Sequence, residues 1–344
     1  METKTINCTD TRSNILIYLR GKNKNSKKLY LSGHLDTVPI GEKPWSFNPF
    51  EGKESEGRIY GRGACDMKGG VAALIETMIV LKESNIELEH DIIFVGTAGE
   101  EVDCLDAKTV IEHDLIENPG AMIIAEPSSS EVFVGHKGVL WIEITTFGKT
   151  AHGSMPDQGL NAISAMMTII EHLKTSSFSA SNDLLGNSTM SINRIQGGIA
   201  PNVVPDSCSI TIDIRTVSEN ENEQILQKIT NIITQLETQD KSFKATLSVL
   251  QNLNPLTNNT NNNFIKLAQQ LNYDMTNKKI SNLGVNYYTD ASIFRKYLDI
   301  PIIIYGAGNE KLAHQPDEYI EISELVQSVN YYLEIAKSYD SATV

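Results

Sequence analysis

A chain of 344 residues exceeds one ordinary core and has the length of two domains. Hydrophobic residues make up 40%, enough to bury a sizeable interior, which excludes wholesale disorder. The formal net charge of −14, with no Lys/Arg cluster among aromatics to offset it, argues against nucleic acid as a partner. The first twenty residues lack an apolar stretch behind a basic start, so no secretory signal is expected. The longest apolar run, residues 71–81, is interrupted by Glu76 and is too short for a membrane span. Cys8, Cys65, Cys104 and Cys208 lie far apart with no C-x-x-C pair, which suits a reducing compartment; the cytoplasm is the expected location.

In chain order, residues 28–31 read as a strand ending at Gly33, and 68–83 as a helix with Val71, Leu74, Ile75, Met78 and Leu81 on its apolar positions. Residues 91–95 and 121–124 are continuous apolar runs, as expected of strands covered on both faces. In the middle, 139–146 and 208–216 alternate with period two, predicting a sheet with one exposed face, and 161–173 and 223–236 predict helices on its other face. Residues 301–305 read as a strand and 323–337 as a closing helix. The pattern is α/β: a catalytic domain at 1–137 and 252–344, interrupted by an inserted α+β domain at 138–251. The Asn-rich stretch 252–263 reads as the return linker.

Four of these strands end in groups that bind cations. GHLD at 33–36 offers His34, with Asp36 placed to accept a proton from its other ring nitrogen; alone, it fits equally a turn histidine with an aspartate cap. GRGACDMKGG at 61–70 is no phosphate loop, because Asp66 stands where a glycine would admit a pyrophosphate and no GK[ST] follows. Asp66 is either an N-cap or a carboxylate bridging two cations. GTAGEE at 96–101 puts Glu100 and Glu101 past a buried strand, where adjacent acids are costly unless paired; a solvated turn is the alternative. Glu126 follows the strand 121–125, and His314 follows the last strand's glycine-rich loop. Two divalent cations would balance Asp66, Glu101, Glu126 and a hydroxide. Mixed N/O donors without thiolate suit catalytic zinc or cobalt, with manganese also open.

Residues 31–70 (LSGHLDTVPI…GRGACDMKGG), GTAGEE, AEPS, GKTAHGSMPDQGLNAI and AHQPDEYIEI resemble, in this order, the M20 metallopeptidase family, in particular its desuccinylase and deacetylase branch. The resemblance implies a zinc-exopeptidase-like catalytic domain, a mixed sheet flanked by helices, with a ferredoxin-like inserted domain that dimerises and acts as a lid. It implies one metal on His34, Asp66 and Glu126 and a second on Asp66, Glu101 and His314, with Asp36 orienting His34. Glu100 becomes the general base, passing a proton from the attacking water to the leaving amine. His152, from the inserted domain of a homodimer partner, would stabilise the oxyanion, and Asn202 and Arg215 would contact substrate.

Glutamate at 126 and a compact insertion favour an N-acyl amino acid, such as N-succinyl-diaminopimelate or N-acetylornithine, as the small-molecule substrate. A carboxypeptidase or dipeptidase is the second reading, and a non-catalytic binder of small acylated ligands the third; the intact base argues against the last. Relatives usually carry an opening helix and strand before the H-x-D strand. With 33 residues ahead of His34, that helix is expected to be missing here.

Overall fold

The computed structural model describes residues 1–176, 178 and 180–342. The chain divides into two compact units, one formed by Met1–Gly135, Leu256–Val285 and Thr289–Val344, the other by His136–Pro255 and Asn286–Tyr288.

The first unit is built on a nine-stranded mixed sheet. Its order is Glu2–Asn7, Ser13–Leu19, Ile92–Thr97, Lys28–His34, Pro119–Ile124, Ile302–Ile304, Phe133–His136 and Leu256–Thr257, with Leu283–Val285 paired to Phe133–His136. Lys28–His34 runs parallel to both Ile92–Thr97 and Pro119–Ile124, and Ile302–Ile304 runs parallel to Pro119–Ile124. Four strands therefore finish on one edge, where open α/β sheets bind ligands. Every residue of Lys28–His34 and Ile92–Thr97 is buried, which explains why their sequences do not alternate. Gly69–Glu83, Asn263–Thr276 and Ile322–Ala342 form one group of packed helices, and Leu105–Glu112 with Ala291–Tyr297 another. Gly70 is required at the start of its helix: a Cβ there would lie 2.0 Å from the Ala125 carbonyl oxygen.

The α/β expectation holds, and the predicted central strands and helices are present with boundaries moved by a few residues. Two features differ. The opening residues form an antiparallel hairpin, Glu2–Asn7 with Ser13–Leu19, joined to Ile92–Thr97. The stretch read as a linker holds Leu256–Thr257, the end of the Lys244–Leu253 strand and the start of the Asn263–Thr276 helix. Within it, Asn258 donates to the Val134 and Ile302 carbonyls and accepts from the Ile302 N–H, standing in for a strand neighbour. Among the described residues no helix is long and apolar enough to cross a membrane.

The second unit has a four-stranded antiparallel sheet in the order Thr189–Gly197, Ser207–Thr216, Gly138–Phe147 and Lys244–Leu253. With Ala162–Thr175 and Glu221–Gln239 between strands, the connectivity is βαββαβ, the ferredoxin-like arrangement. Leu140, Ile142 and Ile144, with Cys208, Ile210, Ile212 and Ile214, face Met166, Ile169, Leu173, Ile225, Ile229 and Ile233 in one core. The alternate residues Trp141, Glu143 and Thr145 stay partly exposed, which is the period-two pattern read in the sequence.

His136, at the start of this unit, is fully buried; its Nδ1 lies 2.8 Å from the Lys137 carbonyl and its Nε2 has no partner among the described residues. Burial pushes its pKa from 6.5 down to about 4. The unfolded chain thus takes up this proton at higher pH than the folded one. The associated stability is whole above about 6.5 and is lost as pH falls toward 4, a loss of roughly 3 kcal/mol. Urea unfolding at pH 7 and pH 4 should show that part of the acid sensitivity removed in His136→Gln.

Candidate metal centre

His34 closes the Lys28–His34 strand, opposite Thr97 in the neighbouring parallel strand. Glu100 and Glu101 lie in the turn just beyond that neighbour, and Glu126 lies just beyond Pro119–Ile124 on the other side. Asp66 sits in the irregular turn Ala64–Lys68 that leads into Gly69–Glu83, with extended φ/ψ (−118°, 97°) and a second non-helical residue, Met67, after it. His314 follows the loop after Ile302–Ile304. The sheet and two loops thus bring together six groups that are scattered over 280 positions of the sequence.

Asp66 divides its oxygens between the two imidazoles: Oδ1 is 3.1 Å from His34 Nε2, and Oδ2 is 3.2 Å from His314 Nε2. Glu126 Oε1 is 3.7 Å from His34 Nε2, and Glu101 is 3.1 Å from His314 Nε2. Among the described residues two groups have donor atoms within 4.8 Å of one another, His34 with Glu100 and Glu126, and His34 with Asp66 and Glu101. The second ring nitrogen of His34, Nδ1, is 3.0 Å from the Asp36 backbone carbonyl and 3.6 Å from that residue's carboxylate. The main chain is therefore the closer orienting partner. Donation from Nδ1 leaves the Nε2 lone pair for a cation. The Asp36 carboxylate accepts the Glu101 N–H at 3.1 Å instead, tying the two ligand loops together.

The electrostatics are those of an acid-rich cluster. Burial, with Asp290, Glu101 and Asp66 nearby, raises the Glu100 pKa well above the ordinary carboxylate range. Burial, with Asp66 and Glu100, does the same to Glu126. Burial opposes the charge on His34, but Glu126, Asp36 and Asp66 outweigh it and raise its pKa well above 6.5. His314 is raised to about 10 by Asp66 and Glu101. Asp66 is lowered despite its burial, because both imidazoles hold it ionised. Five carboxylates, two of them buried (Glu100, Glu126) and three half-buried (Asp36, Asp66, Glu101), share two imidazoles; divalent cations offset such a surplus of acids. The donors are nitrogen and oxygen only, since Cys65 Sγ is directed to the Asn309 carbonyl at 3.3 Å. The residues therefore fit two catalytic-type cations.

The remaining predicted residues lie in the second unit. His152 is exposed and bridges to Val203, while the Gly153 N–H donates to the Asn202 carbonyl at 2.7 Å, so His152 and Asn202 share one corner. Arg215 stands at the far end of Ser207–Thr216, roughly 25 Å along the strand at ~3.4 Å per residue. There it makes a bidentate pair with Asp213 (2.8 and 3.1 Å) and lies over Tyr288. Within this unit Arg215 is not brought to the other two.

Sequence reasoning passed over three buried groups behind the centre. Asp290 accepts from Thr97 Oγ1 at 2.6 Å, with its pKa pushed up to about 6 by burial. Asn14 accepts from the Ala98 N–H and donates to the Asp106 carbonyl, holding both ends of the Glu100–Glu101 turn. Glu318 accepts from backbone groups beside Asp66. Each resembles an ordinary cap or turn residue in sequence, and burial alone distinguishes them.

Glu126→Gln removes one of the disfavoured carboxylates. It should raise the thermal midpoint of the chelator-treated chain while cancelling most of the rise produced by added zinc. For the unaltered chain that rise corresponds to about 2.7 kcal/mol at a hundredfold excess over Kd. Thermal scans with chelator and with zinc would show both effects.

Residues 30–338 match Peptidase family M20/M25/M40. The chain is 30% identical to a Staphylococcus aureus protein named probable succinyl-diaminopimelate desuccinylase, over 98% of this chain and 89% of that one. It is 32% identical to the acetylornithine deacetylase of Buchnera aphidicola, over 85% and 76%. Among solved structures, a tripeptidase from Staphylococcus aureus superimposes with a TM-score of 0.80 at 25% identity, over 98% of this chain and 88% of that one. The chain belongs to peptidase family M20/M25/M40, a metal-dependent family, and is a hydrolase of amide bonds.

Proposed function

We propose that the chain cleaves the amide of an N-acyl amino acid with two divalent ions, zinc by preference, held by His34, Asp66 and Glu126 and by Asp66, Glu101 and His314. The observation that carries this reading is the division of the Asp66 oxygens between the two histidines. When bound, such ions make water acidic enough to ionise near neutral pH and polarise a carbonyl. Zinc is favoured over cobalt and manganese by the two imidazoles, although the donor set admits all three.

Glu100 is the group that moves the proton. It is buried, and its carboxylate stands within 4.8 Å of donor atoms of His34 and Glu126, close enough to reach a water held there. Its raised pKa suits a carboxylate that takes a proton from the attacking water and returns it to the leaving nitrogen. His152 is proposed as the oxyanion donor, supplied by the second copy of a homodimer. Its Nδ1 lies 2.8 Å from the Ser154 hydroxyl and 3.2 Å from the Ser154 N–H, contacts that orient the ring and direct Nε2 to the oxyanion in this reading. The dimer is supported by the Thr189–Gly197 edge strand, which among the described residues pairs on one side only and which exposes Ile195, with Ile199 exposed just beyond. Asn202, beside His152, is assigned to substrate contact with it. Arg215, aligned by Asp213, is assigned to a substrate carboxylate.

The acylated substrates N-succinyl-diaminopimelate and N-acetylornithine are preferred because the two curated relatives carry those names at 30% and 32% identity. A peptidase is the second reading, favoured by the fold likeness to the tripeptidase. A cytoplasmic location accords with four free cysteines. Amine release from both acylated substrates and from di- and tripeptides separates the readings. Turnover of an acylated substrate should fall by about 10²–10⁴ in Glu100→Gln with zinc binding retained. Turnover of peptides alone would favour the second reading, and an active Glu100→Gln would remove Glu100 from the mechanism.

A further inference from the structure

The turn that carries Asp66 is held from behind by a carboxylate four residues after His314. Glu318 is 1% exposed. Its Oε1 accepts from the backbone N–H groups of both Cys65 and Asp66, each at 2.9 Å. Its Oε2 pairs with the Arg62 guanidinium, which is itself buried and lies 5.1 Å from the Trp45 ring. The Glu318 carbonyl also accepts the Gly61 N–H at 2.9 Å. The adjacent Asp317 reaches a different loop, accepting from the backbone N–H and hydroxyl of Ser46.

This arrangement answers a local need. The backbone departs from helical geometry at Asp66 and Met67, and the amides at the start of a helical stretch have no partner within it. Left unpaired in a buried place, they would draw the turn toward water or another acceptor. One oxygen of Glu318 takes both amides, and the plane of the Asp66 peptide is fixed at the residue whose side chain must aim in two directions. Arg62 gives that buried carboxylate a cationic partner. Because Glu318 and His314 share one short loop, the same contact ties the loop of one candidate ligand to the turn of the shared one.

We infer that Glu318, supported by Arg62, is a positioning residue that aims Asp66 so that two divalent ions bind together. The inference rests on the two-ion reading above. Its test is calorimetric titration of the full chain with zinc alone, in the presence of a weak competing chelator, alongside circular dichroism. The unaltered chain should bind two zinc ions, and fewer than two would defeat the two-ion reading itself. Glu318→Leu, folded, should bind zinc at least tenfold more weakly. The double variant Arg62→Gln/Glu318→Gln keeps an amide oxygen for the two backbone N–H groups and removes the orphaned guanidinium. It should bind both ions within fivefold of the unaltered chain, a recovery that generic loosening of the fold would not produce. Unchanged affinity in folded Glu318→Leu would overturn the inference while leaving the two-ion reading intact. So would a double variant tenfold or more weaker. If Glu318→Leu does not fold, the double variant alone decides on the same limits.

Discussion

Both oxygens of Asp66 are committed, one to His34 and one to His314, and the sheet edge around them is packed with acids that have too few cationic partners. Buried carboxylates in this number oppose folding, since each prefers water or a proton. The fold tolerates them because four parallel strand ends, anchored by fully buried apolar strands, fix where the acids stand. Stability is given up locally for a cluster of acids in fixed positions. The hairpin at Glu2–Leu19 adds to this fixing through Asn14, which grips both sides of the Glu100–Glu101 turn, and through Arg12, paired with Asp103 and Asp106.

A second consequence is the division of labour between neighbouring residues. Glu101 reaches His314, whereas Glu100 is buried with Cys104 and Asp290 behind it. Asp317 and Glu318 likewise diverge, one to Ser46 and one to the Asp66 turn. Adjacent side chains on irregular backbone point apart, so a pair of acids serves two purposes that one residue could not. Family membership and the geometry agree on hydrolysis of amide bonds.

Much of the framework was legible because burial on both faces leaves a plain trace: IIFV and AMII are apolar without interruption. The period-two strands of the second unit were equally readable. What the sequence hid was peripheral or polar. Glu2–Asn7 is exposed at five of its six positions, and Thr189–Gly197 is an edge strand with little buried surface, so neither needed an apolar pattern. The Asn263–Thr276 helix begins inside an Asn-rich stretch, where its cap, Asn262, reads as more of the same loop. At the centre, His34, Asp66, Glu100, Glu101 and Glu126 each follow a recognisable strand or glycine turn. His314 says little by itself; it gained meaning from the set of four strand ends, and the family resemblance then supplied its role. Glu318 and Asp290 were invisible, because an acid before a helix or strand is usually a solvated cap, and sequence does not report that these two are buried.

The central claim is a pair of ions sharing one aspartate, and zinc X-ray absorption on the zinc-loaded full chain tests it most directly. The account predicts a first shell of nitrogen and oxygen alone, with a second zinc at about 3.5 Å. A sulfur shell at about 2.3 Å, or no neighbouring zinc in a chain saturated with the metal, would contradict it.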